Sequence, residues 1–140
     1  MVESPPAGKP LPPAILVAED NRLLLNLLRM QFEKDGQYRI LYAADGKAAL
    51  EVIERELPVL VLTDMMMPLI DGVELCQRVK TNPRTSHIRL VMMTAHPKGL
   101  DRLRQAKIQP DAFVPKPFKV SQLVTKVFEL LLKPSPPPGP

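Results

Sequence analysis

Short, wholly apolar runs alternate with helix-period stripes along most of the chain. Ala14-Ile15-Leu16-Val17-Ala18 is apolar at every position and ends in two acids, Glu19 and Asp20. Leu24, Leu27, Leu28 and Phe32 then recur at the spacing of a helix packed on one face, and Asp35-Gly36 ends that stripe. Residues 38–42 read as a second strand, and Ala49, Leu50 and Ile53 mark a second helix. Residues 59–62, entered through Pro58, are apolar throughout, as expected of a strand covered on both faces. Val73, Cys76 and Val79 make a third helical stripe, residues 88–93 a fourth strand and residues 100–107 a short helix. Ala112-Phe113-Val114 predicts a brief fifth strand, and Leu123, Val127, Leu130 and Leu131 a last helix.

Five strand-then-helix units imply an α/β fold, a parallel sheet with helices on both faces joined by right-handed crossovers. Ligands of such sheets bind beyond the carboxyl ends of the strands. The chemically capable residues fall at those ends. Glu19 and Asp20 close the first strand, Asp64 the third, Thr94 the fourth and Lys116 the fifth.

Composition changes this picture at the two ends of the chain. Five of the 17 prolines lie in residues 1–13 and five in 134–140. Proline neither continues a helix nor donates to a ladder, so both ends read as extended tails. The folded unit is expected to span 14–133, with 1–13 a Pro-rich tail and 134–140 a Pro-rich tail or linker. The net charge is +4, and residues 98–133 hold eight basic residues against three acidic ones. Without aromatic interleaving or a nucleic-acid motif, that excess reads as a solvated face and not as a nucleic-acid site. One cysteine excludes an internal disulfide and suits a reducing compartment. No apolar run approaches the length of a membrane span, and no signal-type segment precedes the domain. A soluble, cytoplasmic protein is expected, with no membrane partner.

Three carboxylates brought together repel one another unless they share a cation. With oxygen donors only, Mg²⁺ is the first choice. Lys116 can neutralise a phosphoryl oxygen and Thr94 can donate to another. A carboxylate beside the cation can then attack phosphorus in line, giving an acyl phosphate. No Gly-x-x-x-x-Gly-Lys-[Ser/Thr] loop is present, which argues against a nucleotide donor held by a P-loop.

These residues stand in motifs that resemble a known family. Leu62-Thr63-Asp64-Met65-Met66-Met67-Pro68 followed by Asp71-Gly72 is similar to the phosphoacceptor loop of response-regulator receiver domains. Ile15 to Asn21 resembles their first strand and acidic pair, and Val91-Met92-Met93-Thr94-Ala95 their switch strand. Asp111 to Phe118 resembles their aromatic, lysine and proline segment. The resemblance implies a doubly wound, five-stranded parallel sheet of order 2-1-3-4-5, the flavodoxin-like receiver fold. It implies a two-component signalling role in which Asp64 takes a phosphoryl group from a sensor histidine kinase or histidine phosphotransfer domain. Asp20, Asp64, the backbone carbonyl of Met66 and, directly or through water, Glu19 would bind Mg²⁺. Lys116 would pair with the phosphoryl group, Thr94 would move to bond it, and Phe113 would turn into the space vacated. The Lys116–Pro117 bond would often be cis. The fourth helix, fifth strand and fifth helix (the α4-β5-α5 surface) would carry the output, to a downstream effector or a homodimer.

Met66 takes a position where receivers commonly carry a polar side chain that influences phosphoryl lifetime. A thioether orients an attacking water poorly, so a long-lived acyl phosphate is expected. His96 and His87 read as loop residues without zinc-ligand spacing. Pro97, Pro110 and Pro115 are unusual punctuation, and Pro115 is expected to weaken the end of the fifth strand. Cys76, on the apolar stripe of the third helix, reads as packing, and Met65 and Met67 as packing or loop residues. Two rivals remain. A Mg²⁺-dependent aspartyl-nucleophile phosphatase would need a second acid where Met66 stands. A degenerate receiver acting as a phosphorylation-independent interaction module would not need the intact set Asp20, Asp64, Thr94 and Lys116.

Overall fold

The computed structural model describes residues 11–34, 36–95, 101–102, 104–105 and 108–133. Its elements are β1 (Ala14–Ala18), α1 (Arg22–Glu33), β2 (Arg39–Ala43), α2 (Gly46–Glu56), β3 (Leu60–Asp64), α3 (Gly72–Thr81), β4 (Arg89–Thr94), β5 (Ala112–Pro115) and a C-terminal helix, Val120–Leu132. The five strands are parallel in the order β2-β1-β3-β4-β5. This is the doubly wound sheet that the sequence predicts.

Successive side chains of a strand point to opposite faces, and two cores follow from that alternation. Leu16, Ala18, Val61, Leu90 and Met92 pack against Ala49 and Ile53 of α2 and Val73, Cys76 and Val79 of α3. Ile15, Val17, Leu60, Leu62, Val91 and Met93 pack against Leu28 and Phe32 of α1 and Leu123, Val127 and Leu130 of the C-terminal helix. Phe128 ties that second layer together, meeting Phe32 edge-on at 6.0 Å between ring centroids and Tyr38 at 5.9 Å.

Several boundaries differ from the periodic reading. β3 starts at Leu60 because Val59 lies at the rim, 37% exposed, although its N–H still donates to the Ala14 carbonyl. β2 and β4 each run one residue later than the apolar pattern suggests. Leu27 is 43% exposed: α1 seats Leu28 and Phe32 on the sheet and turns Leu27 outward. Leu131 is half-buried beside the buried Leu130. Pro115 does not weaken the strand end. β5 is the sheet edge, and the Lys116 N–H carries the ladder on to the Thr94 carbonyl at 2.7 Å. The ring of Pro115 therefore replaces a donor that faces away from β4. Asp111 opens β5: its N–H donates to the Leu90 carbonyl, and its carboxylate accepts from the Leu90 N–H at 2.7 Å and Lys80 at 2.6 Å.

Of the short helix expected over 100–107, residues 101, 102, 104 and 105 are helical and the remainder lies outside the described residues, as do His96, Pro97 and most of both Pro-rich ends. At the amino rim of the sheet, Arg39 donates from Nε to the Pro12 carbonyl at 2.9 Å, and Arg89 donates to the Lys133 carbonyl. Pro13, Tyr38, Val59, Arg89, Leu131 and Lys133 line one cleft there, so both ends of the folded unit meet at that rim.

Candidate functional site

At the opposite rim, the register sets Ala18 beside Thr63, Asp64 beside Met93 and Thr94 beside Pro115. Residues that follow these positions must share one edge. Glu19, Asp20 and Asp64 bring carboxylate oxygens within 4.8 Å of one another. Glu19 is buried, Asp20 is exposed, and Asp64 is 8% exposed. The Lys116 Nζ lies 3.1 Å from Glu19 Oε1 and 3.4 Å from Asp64 Oδ2. The other Glu19 oxygen accepts from the Asn21 N–H at 3.0 Å, while the Asn21 side chain caps α1 through the Leu24 N–H.

The electrostatics follow from this crowding. Burial, then the neighbouring charge of Asp64, pushes the Glu19 carboxyl above the ordinary range, and the bonds from Asn21 and Lys116 offset part of that rise. Burial disfavours the Lys116 ammonium, but the Glu19 bond and the charges of Asp64 and Glu19 outweigh it and raise its pKa. Lys116 therefore stays charged above Asp64.

Two close backbone approaches fix the loop after Asp64. The Gly72 N–H donates to the Met65 carbonyl at 2.8 Å, and a Cβ on Gly72 would stand 2.4 Å from the Asp64 carbonyl oxygen. The Gly46 N–H reaches the Pro68 carbonyl, and a Cβ there would fall 1.7 Å from the Ile70 oxygen. Asp71 caps α3 through the Glu74 N–H at 2.9 Å and pairs with Arg102 at 3.1 Å. Leu69 takes a positive φ of 72° at the outside of this loop.

The structure thus brings together Glu19, Asp20, Asp64 and Lys116, with Thr94 buried at the adjoining strand end. Phe113 is half-buried on the same sheet face as Met92 and Thr94. The Met66 side chain is 56% exposed in the loop beyond Asp64. The Lys116–Pro117 peptide is cis. Sequence reasoning passed over Gly46, whose need for a bare Cα arises from a contact with Ile70 that no local pattern announces. It also set Met65 aside as a packing or loop residue, although its sulfur lies 3.6 Å from the Thr94 hydroxyl.

Outside the carboxylate cluster, Leu23, Leu27 and Met30 form an exposed apolar stripe on α1. It borders a cleft of about 400 Å³ lined by Leu24, Leu27, Lys116, Pro117, Phe118 and Val120.

The family model for the response regulator receiver domain matches residues 15–128. The phosphate regulon transcriptional regulatory protein PhoB of Rhizobium meliloti (strain 1021) is 32% identical over 124 residues, which cover 89% of this chain and 54% of that regulator. Histidine kinase P4 of Formosa agariphila is 32% identical over 117 residues, 84% of this chain and 8% of the kinase. The signal receiver domain of a signal transduction histidine kinase from Syntrophus aciditrophicus has a TM-score of 0.77 at 27% identity, covering 89% of this chain and 96% of that one. The chain spans about half the length of the regulator and a small part of the kinase.

Proposed function

Because the chain belongs to the response regulator receiver domain family, we propose that Asp64 takes the phosphoryl group that makes it a signalling switch. Its support is the convergence of three carboxylates within 4.8 Å, with an ammonium 3.4 Å from Asp64. Asp64 attacks phosphorus in line, its Oδ–P bond forming as the phosphohistidine N–P bond breaks, and the imidazole leaves as the histidine of the donor. Glu19 holds Lys116 by its 3.1 Å bond, so the ammonium is already oriented to neutralise a phosphoryl oxygen. Thr94 donates its hydroxyl to another oxygen, and Phe113, on the same face, moves into the space that Thr94 leaves.

The donor set fits Mg²⁺. All ligand atoms are oxygen, and three carboxylates face one ammonium, so their ionised forms carry a negative excess suited to a divalent ion. Asp20, Asp64 and the Met66 carbonyl would hold it, with Glu19 directly or through water. When bound, the ion supplies charge neutralisation at the phosphoryl oxygens.

The donor is a sensor histidine kinase or a histidine phosphotransfer domain. Leu23, Leu27 and Met30 offer an apolar stripe for a helix of that partner, next to the cleft that contains Lys116. The helix after β4, β5 and the C-terminal helix form the output surface, for an effector or a second copy. Residues 14–133 act as the folded unit, flanked by the Pro-rich segments, in the cytoplasm. No described helix is long and apolar enough to cross a membrane. The domain promotes its own phosphotransfer and a slow loss of the phosphoryl group, without turnover on free substrates.

Incubation with acetyl phosphate, followed by intact mass measurement, tests this reading. The wild type should gain one phosphoryl mass only with Mg²⁺, and Asp64→Asn should gain none. Equal labelling of Asp64→Asn would remove Asp64 from this role.

A further inference from the structure

Met65 follows Asp64 directly, yet its side chain turns into the sheet and is 1% exposed. There its Sδ accepts from the Thr94 Oγ1 at 3.6 Å, and Thr94 is itself 4% exposed. The backbone of Met65 is fixed on both sides, donating to the Met93 carbonyl and accepting from the Gly72 N–H, each at 2.8 Å. The backbone that carries the sulfur is therefore anchored to both β4 and the start of α3.

A hydroxyl has one proton to donate. While that proton is given to sulfur, it is withheld from a phosphoryl oxygen, so the two bonds exclude each other. A thioether is a weak, polarizable acceptor, whereas a phosphoryl oxygen accepts a charge-assisted bond roughly twice as strong as a neutral one. We infer that Met65 is a positioning residue for the switch, its sulfur holding the Thr94 hydroxyl in a bond that a phosphoryl oxygen on Asp64 outcompetes. This rests on the reading of Asp64 as the phosphoacceptor. The Thr63 hydroxyl differs: it donates to the Asp64 carbonyl at 2.9 Å and only lies beside the Met67 sulfur, at 3.9 Å.

The test is the affinity for beryllofluoride, a phosphoryl mimic, in the presence of Mg²⁺. Wild type, Met65→Leu, Thr94→Ala and the double variant are titrated, with thermal unfolding followed for each. Leucine keeps the apolar volume and removes the acceptor, so Met65→Leu should bind roughly two- to fivefold more tightly than wild type. In the Thr94→Ala background the same substitution should change nothing. Equal or weaker binding by Met65→Leu, or an identical change without Thr94, would overturn the assignment. Should Met65→Leu fail to fold, replacement of methionine by norleucine removes the sulfur at nearly constant shape and is compared with and without Thr94. Wild type that does not bind, or Asp64→Asn that binds equally well, would instead bring down the phosphoacceptor reading, and this inference with it.

Discussion

Met66 projects into solvent two residues beyond Asp64, with a side chain that offers water neither a donor nor a strong acceptor. Wild type should accordingly keep its phosphoryl group for minutes or longer after the phosphodonor is removed. Met66→Asn, which can orient a water, should lose it several-fold faster. A wild-type half-life of seconds, read by intact mass over time, would contradict the expectation. The carboxylates, hydroxyl and lysine at this site were legible because each closes an apolar run, and the strand pattern says where such runs end. What each one bonds to was not legible. That Lys116 bridges Glu19 and Asp64 depends on the register of three strands, and the Met65–Thr94 contact joins positions 29 residues apart. The wide exposure of Leu27 was hidden for a related reason: three leucines and Phe32 fit the stripe of α1, but the face that seats Phe32 decides which are covered.

The elements around the site are held by steric fit as much as by hydrogen bonds. α3 starts against the end of β3 so closely that Gly72 has no room for a side chain. Gly72→Ala should push that helix off the loop, at a cost of roughly 1–3 kcal/mol. The cost would show as a lower urea midpoint, together with slower labelling of Asp64; a midpoint equal to that of wild type would mean that the helix start yields freely. Further along α3, burial pushes the Cys76 thiol up to about 11 from its ordinary value of 9.0. At pH 8 only about one thiol in a thousand is then ionised. A disulfide reagent should react with the native protein orders of magnitude more slowly than with the urea-unfolded chain. The sign of the linked effect on stability follows: the unfolded thiol ionises first as pH rises above 9.0, so this residue's contribution to stability falls between there and about 11. The type and order of the elements were readable from apolar periodicity. Their first and last residues were not: Val59 is as apolar as the strand it precedes, and only its exposed place at the rim sets it outside β3.

At the scale of the whole molecule, one sheet carries the cluster at its carboxyl rim, and everything that binds that rim is linked to folding. Mg²⁺ that binds the native cluster alone should stabilise the protein by about 2.7 kcal/mol at a hundred times its Kd. Calorimetric melting with and without the ion should show the shift in wild type and lose most of it in Asp20→Ala, whose exposed carboxylate makes few other contacts to forfeit. An equal shift in the variant would move the ion elsewhere. The sheet order itself could be inferred from the motif resemblance, whereas the meeting of the two ends of the folded unit could not, since it follows from where the last helix runs out. Arg39 and Arg89 grip those ends on the side remote from the acids. The domain is therefore a cassette whose two attachment points, residues 12 and 133, lie on one side. A fluorescent protein or an unrelated domain joined at either point, or at both, would start at the rim opposite the acids, away from the proposed docking face of a phosphoryl donor.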